Sequence, residues 1–160
     1  MSAFEALYAA LAPPLLAYLM ALARDRTIAQ DLLQETFLQL HRSRHAYRPG
    51  LPVRPWAFTI ARHVWLMDRR SRARRPRSDQ ELPELPVPAE VERLAERDGL
   101  RRALEAVLPE RREALLLHHV WGFSFAEIGQ MLGIRAEAAK LRSSRGMGDL
   151  RRVLTENAGG

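Results

Sequence analysis

Apolar residues recur three and four positions apart along almost the whole chain, and no stretch alternates as a half-buried strand would. The pattern predicts an all-α protein. A first helix spans about Ala3 to Arg24, with a bend expected at Pro13-Pro14, because neither proline has an amide to give the helical ladder. The second helix puts Ile28, Leu32, Leu33, Phe37 and Leu40 on one broad side and opens on Thr27-Ile28-Ala29-Gln30, which has capping-box form. A turn-rich loop, Arg48-Pro49-Gly50-Leu51-Pro52, leads to a third helix from near Pro55, with Trp56, Ile60, Val64 and Met67 at core spacing. Towards the C-terminus the same periodicity predicts helices over about 90–107, 110–121, 125–132 and 136–155. Ser124-Phe125-Ala126-Glu127 is a second capping-box pattern, and Gly133 suits the position just past a helix end. A short helix, a tight turn and a longer basic helix make a helix-turn-helix.

Charge divides the chain further. From His41 to Arg77 there are eleven arginines and one acid, Asp68. From Asp79 to Asp98 there are seven acids and two arginines, with Pro83, Pro86 and Pro88 among them. An acidic, proline-rich strip of this kind reads as a tether. We therefore expect two small helical domains, a bundle over 1–77 and a helix-turn-helix domain over 98–160, joined by a flexible linker over 78–97.

Composition narrows the class of partner. Across 160 residues the net charge is +6, and 24 of the 25 basic residues are arginine, Lys140 being the exception. Arginine presents a planar fork of donors suited to phosphate and guanine, although a GC-rich genome also favours arginine codons. Cysteine is absent, which excludes disulfides and thiolate metal sites and fits a cytoplasmic protein. The N-terminus lacks the basic flank of a signal peptide, and the proline pair leaves no apolar run expected to span a bilayer, so no membrane insertion is expected. His118-His119 has no carboxylate or third histidine at ligand spacing, so no metal or other cofactor is expected.

Two blocks carry the functional signal. The first reads D-L-L-Q-E-T-F from Asp31 to Phe37, followed by P-W-A-F-T-I-A-R from Pro55 and an arginine run. The second reads L-P-E-R-R-E-A-L-L-L-H-H-V from Leu108 to Val120, followed by F-S-F-A-E-I-G-Q-M-L-G-I. In this order and spacing they resemble an extracytoplasmic-function (ECF) sigma factor, a detachable promoter-reading subunit of bacterial RNA polymerase. Asp31, Gln34, Glu35 and Leu38 fall at i, i+3, i+4 and i+7, one side of a helix beside its apolar side. By pattern alone that is an ordinary wet face; the resemblance implies docking on the clamp helices of the polymerase β′ subunit.

The loop from Arg44 and the start of the third helix match the family's part that captures the melted downstream (minus-ten) element. Trapping an unstacked base needs a pocket and cations on the backbone. Arg44, Arg48, Arg54, Arg62, Arg69 and Arg70 are candidates for phosphate contact, His63 and Trp65 for base contact, and Trp56 is assigned to the core. His63 departs from the family, which usually has asparagine there.

In the helix-turn-helix, Arg135, Glu137, Lys140, Arg142 and Ser144 are candidate base readers, with Arg145 on phosphate. The resemblance implies that this unit reads the upstream (minus-thirty-five) element and touches the polymerase β flap. Here too the chain departs from its family, with Ala139 and Ser143 where valine and leucine are usual and Gly146 beyond. Less apolar surface on that side predicts a loosely seated recognition helix, and Gly146 and Gly148 weaken its interior. Met147, Leu150 and Leu154 continue the apolar stripe.

The expected function is promoter recognition and strand opening with core polymerase, without catalysis of its own, and the resemblance adds an anti-sigma protein as a partner. A stand-alone helix-turn-helix regulator would explain the C-terminal half alone. A nuclease would need clustered carboxylates or a nucleophile-base pair that the chain lacks.

Overall fold

The structure, a computed structural model, describes residues 2–48, 50, 52–74 and 98–159. The expected linker over 78–97, Arg75 and Arg77 of the arginine run, and Pro49 and Leu51 of the loop lie outside the described residues. Among the described residues the protein is all-helical, and it divides into two compact units.

The N-terminal unit holds α1 (Ala3–Ala23), α2 (Arg26–Arg42) and α3 (Val53–Arg74), each packed on the other two. Its core is one stripe from each helix: Leu11, Leu15, Tyr18 and Leu19 of α1; Ala29, Leu32, Leu33, Thr36, Phe37 and Leu40 of α2; Ala57, Phe58, Ala61 and Val64 of α3. Tyr18 and Phe58, both fully buried, meet with ring centroids 5.0 Å apart. Thr36 is the buried polar exception, and its Oγ1 donates to the Leu32 carbonyl at 2.7 Å.

α1 is one helix that contains Pro13-Pro14, close to its expected span. The carbonyls that lose amide partners are those of Ala9 and Ala10, which are exposed residues, so water can take them. The uninterrupted helix is 21 residues with a mean hydropathy of 1.8, long and apolar enough to cross a membrane by length and composition, contrary to the expectation that no run would be. A core helix passes the same test, and Leu11, Leu15, Tyr18 and Leu19 are buried as core.

α2 begins at Arg26 rather than at the Thr27 capping box, because Asp25 caps it, accepting from the Ile28 amide at 3.0 Å. Asp25→Ala is expected to lower the unfolding free energy by about 1 kcal/mol, the usual weight of an N-cap, measured by thermal melting. On α3 the buried stripe is Ala57, Phe58, Ala61 and Val64; Trp56 is only half-buried and Met67 is 50% exposed. That stripe is centred near Ala57 and Ala61, and at 100° per residue Trp56 and Met67 fall on its flank.

The C-terminal unit holds α4 (Asp98–Glu105), α5 (Pro109–His119), most of α6 (Phe125–Leu132) and α7 (Ala136–Ala158). Ala103, Val107, Leu115 and Leu150 form a core, flanked by Leu104, Met147 and Val153. Val153 takes the place expected of Leu154, which is 37% exposed.

Among the described helices, α5 and α7 pack together most extensively. Ala139, Ser143, Gly146 and Leu150 form the buried stripe of α7. A Cβ at Gly146 would lie 2.8 Å from the Arg111 carbonyl oxygen, inside contact distance. At Gly146, one of the small residues expected to loosen α7, the absence of a side chain lets the two backbones meet. Beside that contact Arg111 Nη1 pairs with Asp149 Oδ2 at 2.6 Å, and Arg152 reaches Oδ1 of the same carboxylate at 3.4 Å.

Candidate polymerase and nucleic-acid interfaces

Because the core stripe of α2 takes up one side, its polar residues are pushed to the other. Asp31 and Gln34 are exposed, Glu35 is half-exposed and accepts weakly from Gln39 Nε2 at 3.4 Å, and Leu38 is 50% exposed. All four expected residues thus share one accessible surface, while Phe37 is buried at 6% exposure, as expected of a core residue. Asp31 and Glu35 make no ion pair among the described residues, so two carboxylates and one leucine face outward together.

The second candidate surface is built on α3 and the loop before it. Arg62, Trp65 and Arg69 fall at i, i+3 and i+7, and the Arg69 guanidinium lies 5.5 Å from the Trp65 ring centroid, a cation–π arrangement. Trp65 is half-buried, Arg62 half-buried, and His63 and Arg70 exposed. Arg54 lies over the edge of the core at 5.9 Å from the Phe58 centroid. Arg44 donates through Nη1 to the His41 carbonyl at 2.8 Å, and Arg48 is exposed.

Two residues were missed from the sequence. Tyr47 stacks on Trp56 with centroids 5.4 Å apart and planes 28° apart, so the loop is pinned by an aromatic pair. Met67, the residue turned outward, lies between His63 and Arg70 at i, i+4 and i+7. A tyrosine ahead of a Pro-Gly turn signals the first; nothing in the helical period separates Met67 from a core residue.

The third surface belongs to the helix-turn-helix. Ser124 caps α6 in a full capping box: its Oγ accepts from the Glu127 amide at 3.1 Å, and Glu127 Oε1 accepts from the Ser124 amide at 2.9 Å. His118 braces this entry, its Nδ1 donating to the Phe123 carbonyl at 2.8 Å while its ring stacks on Phe125 at 4.1 Å. The turn into α7 is tight. Gly133 has φ +70°, the Ile134 amide reaches the Gly129 carbonyl at 2.9 Å, and a Cβ at Gly129 would sit 2.6 Å from the Ile134 carbonyl.

With its buried stripe held on α5, α7 presents Glu137, Lys140, Leu141 and Ser144 outward as exposed residues. Arg135 is exposed at the N-cap and makes no capping bond with its side chain; Arg145 is exposed on one flank. Arg142 is half-buried on the flank beside α5, so it stands apart from the outward group. Leu141, exposed at 48%, joins that group without having been expected there.

The described residues thus present three surfaces on two all-helical units, one acidic on α2, one basic on α3 and one of mixed charge on α7. Comparison with known proteins gives the chain a family. Residues 7–75 match the Sigma-70 region 2 family and residues 97–150 match the Sigma-70 region 4 family. The RNA polymerase sigma factor CarQ of Myxococcus xanthus is 40% identical over 158 residues, covering 96% of this chain and 90% of CarQ. The ECF RNA polymerase sigma factor SigE of Mycolicibacterium smegmatis is 34% identical, over 81% of this chain and 53% of its own length. Among solved structures, the sigma factor RpoE crystallised with the anti-sigma factor NepR from Bartonella quintana shares the fold, with a TM-score of 0.75 over 95% of this chain and 96% of that one at 22% identity. The chain belongs to the ECF sigma factors of bacterial RNA polymerase.

Proposed function

We propose that the two units divide the work of promoter opening as follows. The N-terminal unit anchors to core polymerase through Asp31, Gln34, Glu35 and Leu38, the carboxylates pairing with basic groups on the β′ clamp helices and Leu38 filling an apolar contact. Two carboxylates without an ion pair among the described residues, beside one exposed leucine, support this: hydrogen-bonded charge pairs set register while a single apolar anchor adds affinity. Arg44, Arg48, Arg54, Arg62, Arg69 and Arg70 hold the backbone of the opened minus-ten strand, and His63 and Trp65 meet its bases. The Trp65–Arg69 contact supports this reading, since a ring braced by a guanidinium offers both a stacking surface and a phosphate partner.

The C-terminal unit sets α7 in the major groove of the minus-thirty-five duplex. Arg135, Glu137, Lys140 and Ser144 read base edges, Arg145 holds phosphate, and Arg142, beside α5, steadies the approach from the flank. The same unit touches the β flap. The protein acts by binding alone, in the cytoplasm where polymerase and DNA meet, and bonds are made by the polymerase. An anti-sigma factor holds it inactive, a reading supported by the structural neighbour captured with such a partner.

The observation that carries the reading is the presence in one chain of an outward acidic helix face and a buttressed helix-turn-helix. It is tested by adding the purified chain to core polymerase on fragmented genomic DNA and mapping transcript 5′ ends. Discrete new start sites that need both components, each with permanganate-reactive thymines just upstream, are expected. Duplex binding by the chain alone, with no new start sites, would support the stand-alone regulator instead.

A further inference from the structure

Arginine lies only at the edges of the outward side of α7. Its middle is Glu137, Lys140, Leu141 and Ser144, at i, i+3, i+4 and i+7, all exposed and opposite the stripe that packs on α5. Leu141 is 48% exposed, and its neighbours one turn away in either direction are Glu137, Ala138, Ser144 and Arg145. It is one apolar side chain ringed by polar or small ones. What distinguishes Leu141 from the equally isolated Leu38 of α2 is its place, on the outward side of the second helix of a helix-turn-helix and beside the exposed Lys140 and Ser144.

A lone apolar group among hydrogen-bonding side chains suits the major groove, where the single apolar feature on any base edge is the 5-methyl group of thymine. We propose that Leu141 is a specificity-determining residue that reads a thymine methyl in the upstream duplex. The proposal rests on the reading that the C-terminal unit binds duplex DNA, and deepens it: the promoter contains a thymine whose methyl, rather than its hydrogen-bonding groups, is recognised. Covering one methyl group is worth about a fourfold change in affinity, enough to choose between bases without dominating binding.

The test uses full-length protein bound to core polymerase. A promoter duplex enriched from a random library is resynthesised with each upstream thymine in turn replaced by deoxyuridine, which keeps the hydrogen-bonding edge and lacks the methyl. For the wild type, one position is expected to lose about fourfold in affinity. In Leu141→Ala that sensitivity is expected to vanish while the unmodified duplex still binds. Leu141 is exposed and alanine favours helix, so the variant's melting temperature should not fall, and this is checked first. Unchanged thymine-over-deoxyuridine preference in Leu141→Ala, or none in the wild type, would overturn the proposal. A variant indistinguishable on DNA but impaired with a protein partner would assign Leu141 to that interface and likewise overturn it. Failure to enrich any upstream sequence at all would instead overturn the reading of the C-terminal unit, a different result from the first two.

Discussion

Gly146→Ala is expected to destabilise the C-terminal unit, and Gly148→Ala, two positions further along the same helix, to stabilise it. Both substitutions gain helix propensity, about 0.5–1 kcal/mol for an interior glycine replaced by alanine. Around Gly148 nothing lies within 4 Å of the new Cβ, so the gain is kept. At Gly146 the new methyl would meet the Arg111 carbonyl oxygen at 2.8 Å, with the Arg111 carbonyl carbon at 3.2 Å. That neighbour is backbone, and it cannot swing aside as a side chain can. Overpacking of this kind costs about 1–3 kcal/mol, which exceeds the propensity gain and leaves a net loss. The displacement would also pull Arg111 from its 2.6 Å pairing with Asp149, so α7 would lose two attachments together. Urea unfolding of the two variants beside the wild type checks this. Equal and positive shifts for both would mean that α5 and α7 do not meet at their backbones.

Reversing charge on the outward side of α2, Asp31→Arg with Glu35→Arg, is expected to weaken binding to core polymerase at least about a hundredfold. Loss of one member of a desolvated charge pair costs about 2–5 kcal/mol, and reversal replaces attraction with repulsion. The fold should tolerate the change. Asp31 is exposed, Glu35 makes only a 3.4 Å contact with Gln39, and neither touches the buried stripe, so stability should move by no more than about 0.5 kcal/mol. Polymerase binding and unfolding are therefore expected to separate cleanly in this variant. Binding within a few-fold of the wild type would move the docking surface elsewhere on the unit.

The elements that follow helical period were legible from sequence, and those set by close approach were not. α2 declares itself through Leu32, Leu33, Phe37 and Leu40, and its opposite side, with Asp31 and Glu35, follows from geometry alone. The Ser124–Glu127 capping box and the turn at Gly133 were equally readable, because their chemistry is local. By contrast, period alone cannot rank alanine against tryptophan for a core position. On α3 the buried stripe runs through Ala57 and Ala61 and leaves Trp56 half-buried and Met67 outside. The same blindness made Gly146 look like missing apolar surface, when its lack of a side chain is what lets the α7 backbone meet that of α5. Thr27 offered a more familiar capping pattern than Asp25, and Leu141 lacks the hydrogen-bonding groups by which base readers are picked out of a sequence.

The most direct test of the account is size-exclusion chromatography of the full chain with core RNA polymerase, with and without promoter DNA. A stoichiometric complex that forms without DNA, and then binds promoter DNA that neither component retains alone, is the expected result. A chain that elutes apart from polymerase yet binds duplex DNA as a dimer would contradict the account.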